Sequence, residues 1–199
     1  MAVAIVVVVA MTKGDLRQHR PAPKPTEENG EWVKTIGMSL LIAFGIRTFV
    51  AEARYIPSES MVPTLAVNDR LIIDKLTYKF RDPNRGEIVV FQPTAVLKQQ
   101  GFRDAFIKRI VGLPGERVMV RKGMIFINGQ PLQEPYLAAP PDYEYGPVVV
   151  PPNHYLVLGD NRNHSFDSHF WGFVPRENII GRAAVRFWPP HRIGSIPSP

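Results

Sequence analysis

The chain has 199 residues, enough for one domain plus a tail or an anchor. Its 45% hydrophobic and 21% charged content supports a packed core and excludes wholesale disorder, while the lack of cysteine excludes disulfides, thiolate nucleophiles and Cys-ligated zinc. The net charge of +6 comes from scattered basic residues without a long Lys/Arg run, so an anionic membrane surface fits it better than nucleic acid.

The N-terminal part reads as a tail and an anchor. Residues 2–11, AVAIVVVVAM, are too short to span a bilayer and lack the layout of a secretory signal. Lys13, Arg17, Arg20 and Lys24, interspersed with Pro21, Pro23 and Pro25, make residues 1–31 an extended basic tail. Residues 32–52 predict one transmembrane helix, since about 20 mainly apolar residues cover roughly 30 Å. Lys34 and Arg47 sit towards its ends, where long side chains snorkel. A buried core helix is the alternative, and Arg47 is its best argument. The basic tail places the N-terminus in the cytoplasm and residues 53–199 outside.

The loop YIPSESMVPTL (residues 55–65) follows at once, with Ser58 and Ser60 held between Pro57 and Pro63. It is either a serine-rich turn or a device that presents Ser60. Beyond it, short β-rich runs alternate with turn signals. RLIIDKL (70–76), GEIVVFQ (86–92), AFIKRIV (105–111), RVMV (117–120), MIFI (124–127), HYLVLG (154–159) and AAVRFW (183–188) predict strands. Asp82-Pro83-Asn84, Leu113-Pro114-Gly115, Lys122-Gly123 and Asn128-Gly129 predict turns, the last a type I′ hairpin. Twenty prolines also favour many short elements over long helices. No βαβ rhythm appears, so residues 53–199 predict an antiparallel, mainly β domain. A small insertion lies around 116–154, and its stretch 129–153 is rich in proline and tyrosine.

The run at 105–111 carries two cations. Side chains alternate across a strand, so Phe106, Lys108 and Ile110 share one face and Ile107, Arg109 and Val111 the other. A solvated face accounts for Arg109. Burial of the Phe106/Ile110 face would embed Lys108 among apolar groups and favour its neutral, basic form. A serine hydroxyl needs such a base before it can act as a nucleophile. Two other constellations draw on the same chain. His154, His164 and His169 with Asp160 and Asp167 offer a Ser-His-Asp triad, although no G-x-S-x-G elbow surrounds Ser60. Asp160, His164, Asp167 and His169 offer metal ligands, at no established spacing.

Four blocks in order, IPSESMVPTL, DRLIIDKLTYKFRDPNRGEIVVF, FIKRIVGLPGERV and LGDNRNHSFDSHFWGFVPRENIIGRA, resemble the type I signal peptidases over roughly Trp32 to Arg186. These are membrane-anchored serine proteases that remove signal peptides from exported proteins. The resemblance implies a Ser/Lys dyad with Ser60 as nucleophile and Lys108 as general base. It implies an oxyanion donor in Ser58, an orienting role for Ser165 on the lysine amine, and supporting roles for Asp160, Arg162 and Asp167. The triad and metal readings then lose their carboxylates. Glu59, Asn163, His164 and His169 depart from the commonest pattern, and the stretch from Gly115 to Tyr155 is short for the family's larger members.

The family's substrates carry small side chains at the first and third positions before the scissile bond, which calls for shallow apolar pockets. Ile56, Pro57, Met61, Leu65, Leu71, Phe106 and Ile107 flank the dyad in sequence and are the candidate lining. The resemblance further implies an extended substrate, no metal or cofactor, and no nucleic-acid partner. Its implied partners are signal peptides of secretory preproteins, the lipid bilayer and the secretion translocon. The implied location is a bacterial plasma membrane, with an internal photosynthetic-type membrane as the alternative. A self-cleaving regulator sharing dyad and β-fold would carry a DNA-binding helix-turn-helix, and none is visible in residues 1–31. A non-catalytic membrane-anchored β-module is the other competing reading.

Overall fold

A computed structural model describes residues 28–45, 47 and 50–197. The predicted tail lies almost wholly outside them. Helix α1 covers Glu28–Gly45, beginning earlier than expected, and its apolar side chains are exposed, among them Trp32, Leu40, Leu41 and Phe44. At 1.5 Å per residue it measures about 27 Å. Among the described residues no helix is long and apolar enough to cross a membrane.

The end of the predicted span belongs to a strand instead. Ala51–Tyr55 forms β1, an edge strand paired antiparallel with β2 (Arg70–Asp74). The other strands are β3 (Ile88–Phe91), β4 (Phe106–Gly112), β5 (Arg117–Arg121), β6 (Met124–Ile127), β7 (Gln130–Pro131), β8 (Tyr145–Val149), β9 (His154–Leu158), β10 (Val174–Pro175), β11 (Ile179–Trp188) and β12 (Gly194–Ser195). Short helices α2 (Ala95–Gln99) and α3 (Ser168–Trp171) interrupt the series. The larger sheet runs β1-β2-β11-β3-β4-β9-β10, with β12 added to β11, and all its pairs are antiparallel. The smaller sheet runs β7-β6-β5-β8 and occupies the predicted insertion. Strand β8 was not expected from the sequence, because Pro147 and Gly146 interrupt its pattern.

Two turns of the smaller sheet follow directly from their residues. Lys122 and Gly123 have φ of 49° and 74°, and Asn128 and Gly129 have 52° and 85°. Positive φ at both central positions is what a type I′ hairpin requires. Each turn reverses the chain between neighbouring strands, β5 into β6 and β6 into β7.

Strand β4 is central, and apolar groups cover both its faces. Ile110 belongs to a cluster with Phe91, Val157, Trp171 and Val174, whereas Val111 belongs to one with Val118, Ile125, Leu156 and Leu158 between the sheets. A third cluster, with Ile56, Met61, Leu65, Leu71 and Ile73, lies beneath the serine loop. The domain therefore has a core on each side of the strand that carries Lys108 and Arg109.

The join between β11 and β2 is tight at Gly181, where a Cβ would lie 2.4 Å from the Asp74 carbonyl oxygen. Backbone lies opposite, so the clash cannot be relieved by a side-chain rotation. Gly181→Ala is expected to cost roughly 1–3 kcal/mol in denaturant unfolding. Unchanged stability would show that the β2/β11 join yields.

Candidate active site

The serine loop is a compact turn pinned at both ends. Its entry and exit are bridged by Ile56 N–H to the Asp69 carbonyl (2.9 Å) and Asn68 N–H to the Ile56 carbonyl (3.0 Å). Inside it, Val62 N–H reaches Glu59 O at 3.0 Å and Leu65 N–H reaches Met61 O at 2.9 Å. Met61 and Leu65 are fully buried and anchor the turn in the core. Asp69, also buried, accepts the Ala66 N–H (2.9 Å) and pairs with Arg186 (3.3 Å) and Arg192 (3.4 Å). The turn thus leaves Ser60 buried and Ser58 exposed, their hydroxyl oxygens 3.4 Å apart. Glu59 between them points to solvent.

Lys108 projects from β4 so that its Nζ lies 2.6 Å from Ser60 Oγ, and it is 4% exposed. It shares a strand face with Phe106 and Ile110. Phe106 in turn packs against Phe91, Phe102 and Trp171 with ring centroids 5.4–6.4 Å apart. Removal from water disfavours the ammonium and lowers the lysine pKa to about 8, against a weaker opposing pull from the carboxylates of Asp167 and Asp160.

Arg109, one residue on, is treated differently. The expectation of a solvated arginine is corrected here, since Arg109 is 1% exposed. Both faces of β4 are covered, so alternation could not reveal which cation reached water. Its guanidinium grips Asp160 bidentately, Nε to Oδ1 at 2.8 Å and Nη2 to Oδ2 at 2.6 Å. Nη1 donates to the Gly86 carbonyl (2.6 Å), and the Tyr136 ring lies 3.9 Å beneath the guanidinium. Asp160 also accepts the Thr64 hydroxyl at 2.6 Å, tying β4 and the end of β9 to the serine loop. Removing one member of such a buried pair costs roughly 3–5 kcal/mol.

The stretch 159–169 wraps the other side of Ser60. Asn161 N–H donates to the Ser60 carbonyl at 3.1 Å. Asp167 is fully buried, accepting Gly159 N–H (2.9 Å) on one oxygen and facing His169 Nδ1 (2.7 Å) with the other. Arg162 is buried too, donating to the Gly159 carbonyl (3.0 Å) and in a fork to Glu134 (2.8 and 2.7 Å). Ser165 is buried beside Gly159, but its hydroxyl has no hydrogen-bond partner, so the expected bond from Ser165 to the lysine amine is absent. The triad and metal constellations do not assemble. Ser60 has no histidine among its described hydrogen-bond partners, and no three described His, Asp or Glu side chains are placed to hold a metal.

Ser58, Ser60, Lys108, Pro57, Phe106 and Ile107 line a cleft of about 720 Å³, extended by Phe102, His164 and Phe166. An adjoining hollow of about 220 Å³ is lined by Ile56, Pro57, Val90, Phe106 and Ile107. Of the candidate lining residues, Met61, Leu65 and Leu71 are corrected. They are fully buried in the core behind the cleft and do not line it: Met61 and Leu65 point inwards from the serine turn, and Leu71 points inwards from β2. Glu134 and Tyr136 were missed. Nothing in Glu134-Pro135-Tyr136 marks a partner for arginines distant in the chain.

Burial of Lys108 has a consequence for stability that is independent of any reaction. Its folded pKa of about 8 lies well below the ordinary lysine value of about 10.4. The native state therefore resists a proton that the unfolded chain accepts. The resulting penalty is absent above the unfolded value, grows as pH falls towards about 8, and is constant below that. Lys108→Met is expected to be more stable than wild type at pH 7 by roughly 1–3 kcal/mol, an advantage that shrinks towards pH 10. A pH-independent difference in denaturant unfolding would contradict the burial argument.

Residues 29–188 match the family model described as signal peptidase, peptidase S26. A signal peptidase I of Leptolyngbya laminosa is 62% identical over 179 residues, covering 89% of this chain and 88% of its own. A probable signal peptidase I-2 of Synechocystis sp. is 60% identical, covering 94% and 86%. A probable thylakoidal processing peptidase 2 of Arabidopsis thaliana is 43% identical, covering 83% of this chain and 46% of its own. With a buried lysine against a serine on an antiparallel β-domain, and with these relatives, the chain belongs to the signal peptidase family of S26 peptidases and is a serine endopeptidase.

Proposed function

We propose that the protein removes N-terminal signal peptides from exported preproteins by a Ser60/Lys108 dyad acting through an acyl-enzyme. The carrying observation is the 2.6 Å approach of Lys108 Nζ to Ser60 Oγ in a site that keeps the lysine dry. Neutral Lys108 accepts the hydroxyl proton as Ser60 Oγ attacks the scissile carbonyl. The oxyanion is held by Ser58 Oγ and the Ser60 N–H. Collapse breaks the C–N bond, and Lys108 returns its proton to the leaving amine. Water, deprotonated by the same lysine, then releases the signal peptide from Ser60. Asp160, Arg162 and Asp167 hold the surrounding backbone.

The hollow beside Ile56, Pro57, Phe106 and Ile107 suits the small side chains before the cleavage point. The substrate lies extended along the segments that line it. Residues 32–52 anchor the chain in the bilayer once, with the basic tail of residues 1–31 in the cytoplasm and residues 53–199 outside. The exposed apolar side chains of α1 support this reading, since water is a poor environment for them. The membrane is the plasma membrane or an internal photosynthetic one, as the named thylakoidal relative suggests. Preproteins arrive from the secretion translocon.

Three outcomes test this account. Lys108→Arg and Lys108→Met are expected to fold and to have no cleavage activity on a preprotein, because a guanidinium is no base near neutrality. Wild-type kcat/KM should fall roughly tenfold per pH below about 8. An arginine variant with substantial, similarly pH-dependent cleavage would assign the base to another group. Separately, protease added outside spheroplasts should degrade the β-domain and spare the tail; loss of the tail first would reverse the proposed orientation.

A further inference from the structure

His169 stands at the end of a short line of contacts leading to the dyad. Its Nδ1 lies 2.7 Å from Asp167 Oδ1, and its side chain is 12% exposed. The imidazole is gripped between rings, Tyr143 nearly parallel at 4.2 Å and Phe170 at 3.9 Å, with Tyr145 at 6.5 Å. The other Asp167 oxygen takes the Gly159 N–H. Gly159 in turn has no space beside it. A Cβ there would fall 2.4 Å from the Ser60 carbonyl oxygen and 2.2 Å from Ser165 Oγ. Asp167 is therefore fixed against the backbone that carries Ser60. Its charge is also the strongest of the influences favouring a protonated Lys108.

We propose that His169 is a positioning residue whose proton decides how much of the Asp167 charge Lys108 feels, so that protonating the ring helps the lysine remain a base in acid. The inference rests on the Ser60/Lys108 reading above. With a neutral imidazole, the Asp167 carboxylate is uncompensated and favours the ammonium. With an imidazolium 2.7 Å away, the pair is close to neutral overall, and the lysine gives up its proton more readily. A permanently charged side chain at this position would exert that influence at every pH; an imidazole exerts it only when protonated.

The other groups around the ring do not compete for this role. Tyr143 and Tyr145 face it from the insertion, and burial together with the Asp167 charge raises both phenol pKa values, keeping them neutral. Beyond Tyr143 lie the exposed Asp142 and the mutually paired Arg162 and Glu134. Among ordinary side chains, imidazole is the one that changes charge between pH 5 and 8.

The test compares kcat/KM on one preprotein from pH 5.5 to 9.5 for wild type, His169→Gln and His169→Arg. The three should converge at the alkaline end, where Lys108 is neutral in each. His169→Gln should fall below wild type in acid by roughly tenfold, the effect of one pKa unit. His169→Arg should exceed wild type near neutrality and meet it in acid. Superimposed profiles, or an equal loss at every pH in both variants, would overturn the proposal. A second measurement needs no change at His169 and no activity. Coupling is reciprocal, so the His169 ring titration followed by NMR should move to higher pH in Lys108→Met than in the Ser60→Ala protein that retains the lysine. An unchanged midpoint would overturn the coupling even if the dyad reading stands, whereas cleavage surviving in Lys108→Met would remove the dyad reading itself.

Discussion

Lys108 and Arg109 are adjacent cations on one strand, and Asp160 is shared between them very unequally. The carboxylate is committed to Arg109 by two hydrogen bonds and to Thr64 by a third. Lys108 is left with a serine hydroxyl as its close polar partner. A buried guanidinium keeps its charge, so it needs a matched carboxylate in contact. A buried amine can shed its proton instead, and desolvation drives it that way. The same apolar surroundings therefore produce a structural ion pair at one position and a weakened ammonium at the next. The site follows from this division, because exchanging the partners would give a firmly protonated lysine and an unpaired arginine.

The architecture enforces the division. Only a strand covered on both faces can bury two successive side chains, and β4 lies between the Phe91/Trp171 core and the cluster between the sheets. The connection between β7 and β8 in the smaller sheet contributes beyond covering area. Tyr136 lies under the Arg109 guanidinium, Glu134 pairs with Arg162, and Tyr143 stacks on His169. A segment that reads as a loose insertion thus supports three of the side chains that surround the dyad. Packing of this kind holds Ser60 and Lys108 at reacting distance without backbone strain at either residue, since neither has a positive φ.

Some of this was legible in the sequence. Alternation and turn residues marked seven of the strands, and Asn128-Gly129 stated its own turn type. Strand β1 was hidden because Ala51–Tyr55 follows an apolar run without a break, and β8 because Pro147 interrupts it. At the site, the resemblance of the motifs to a known family pointed to Ser60 and Lys108, which the fold brings together. Arg109 was misjudged because alternation assumes that one face of a strand meets water. Met61, Leu65 and Leu71 were assigned to the cleft by proximity along the chain, although the serine turn reverses direction and buries the first two, and β2 turns Leu71 into the core. Partners such as Glu134 and Tyr136 are separated by many residues from the arginines they meet, and no local pattern encodes them.

The central claim is that Lys108 sheds its proton far more readily than an ordinary lysine because it is dry. The most direct measurement is NMR titration of the Lys108 side chain itself, with labelled lysine in Ser60→Ala and the signal assigned by its loss in Lys108→Met. The account predicts a midpoint near 8, well separated from the exposed lysines. A Lys108 amine that remains protonated up to about 10.4, the ordinary lysine value, would contradict it.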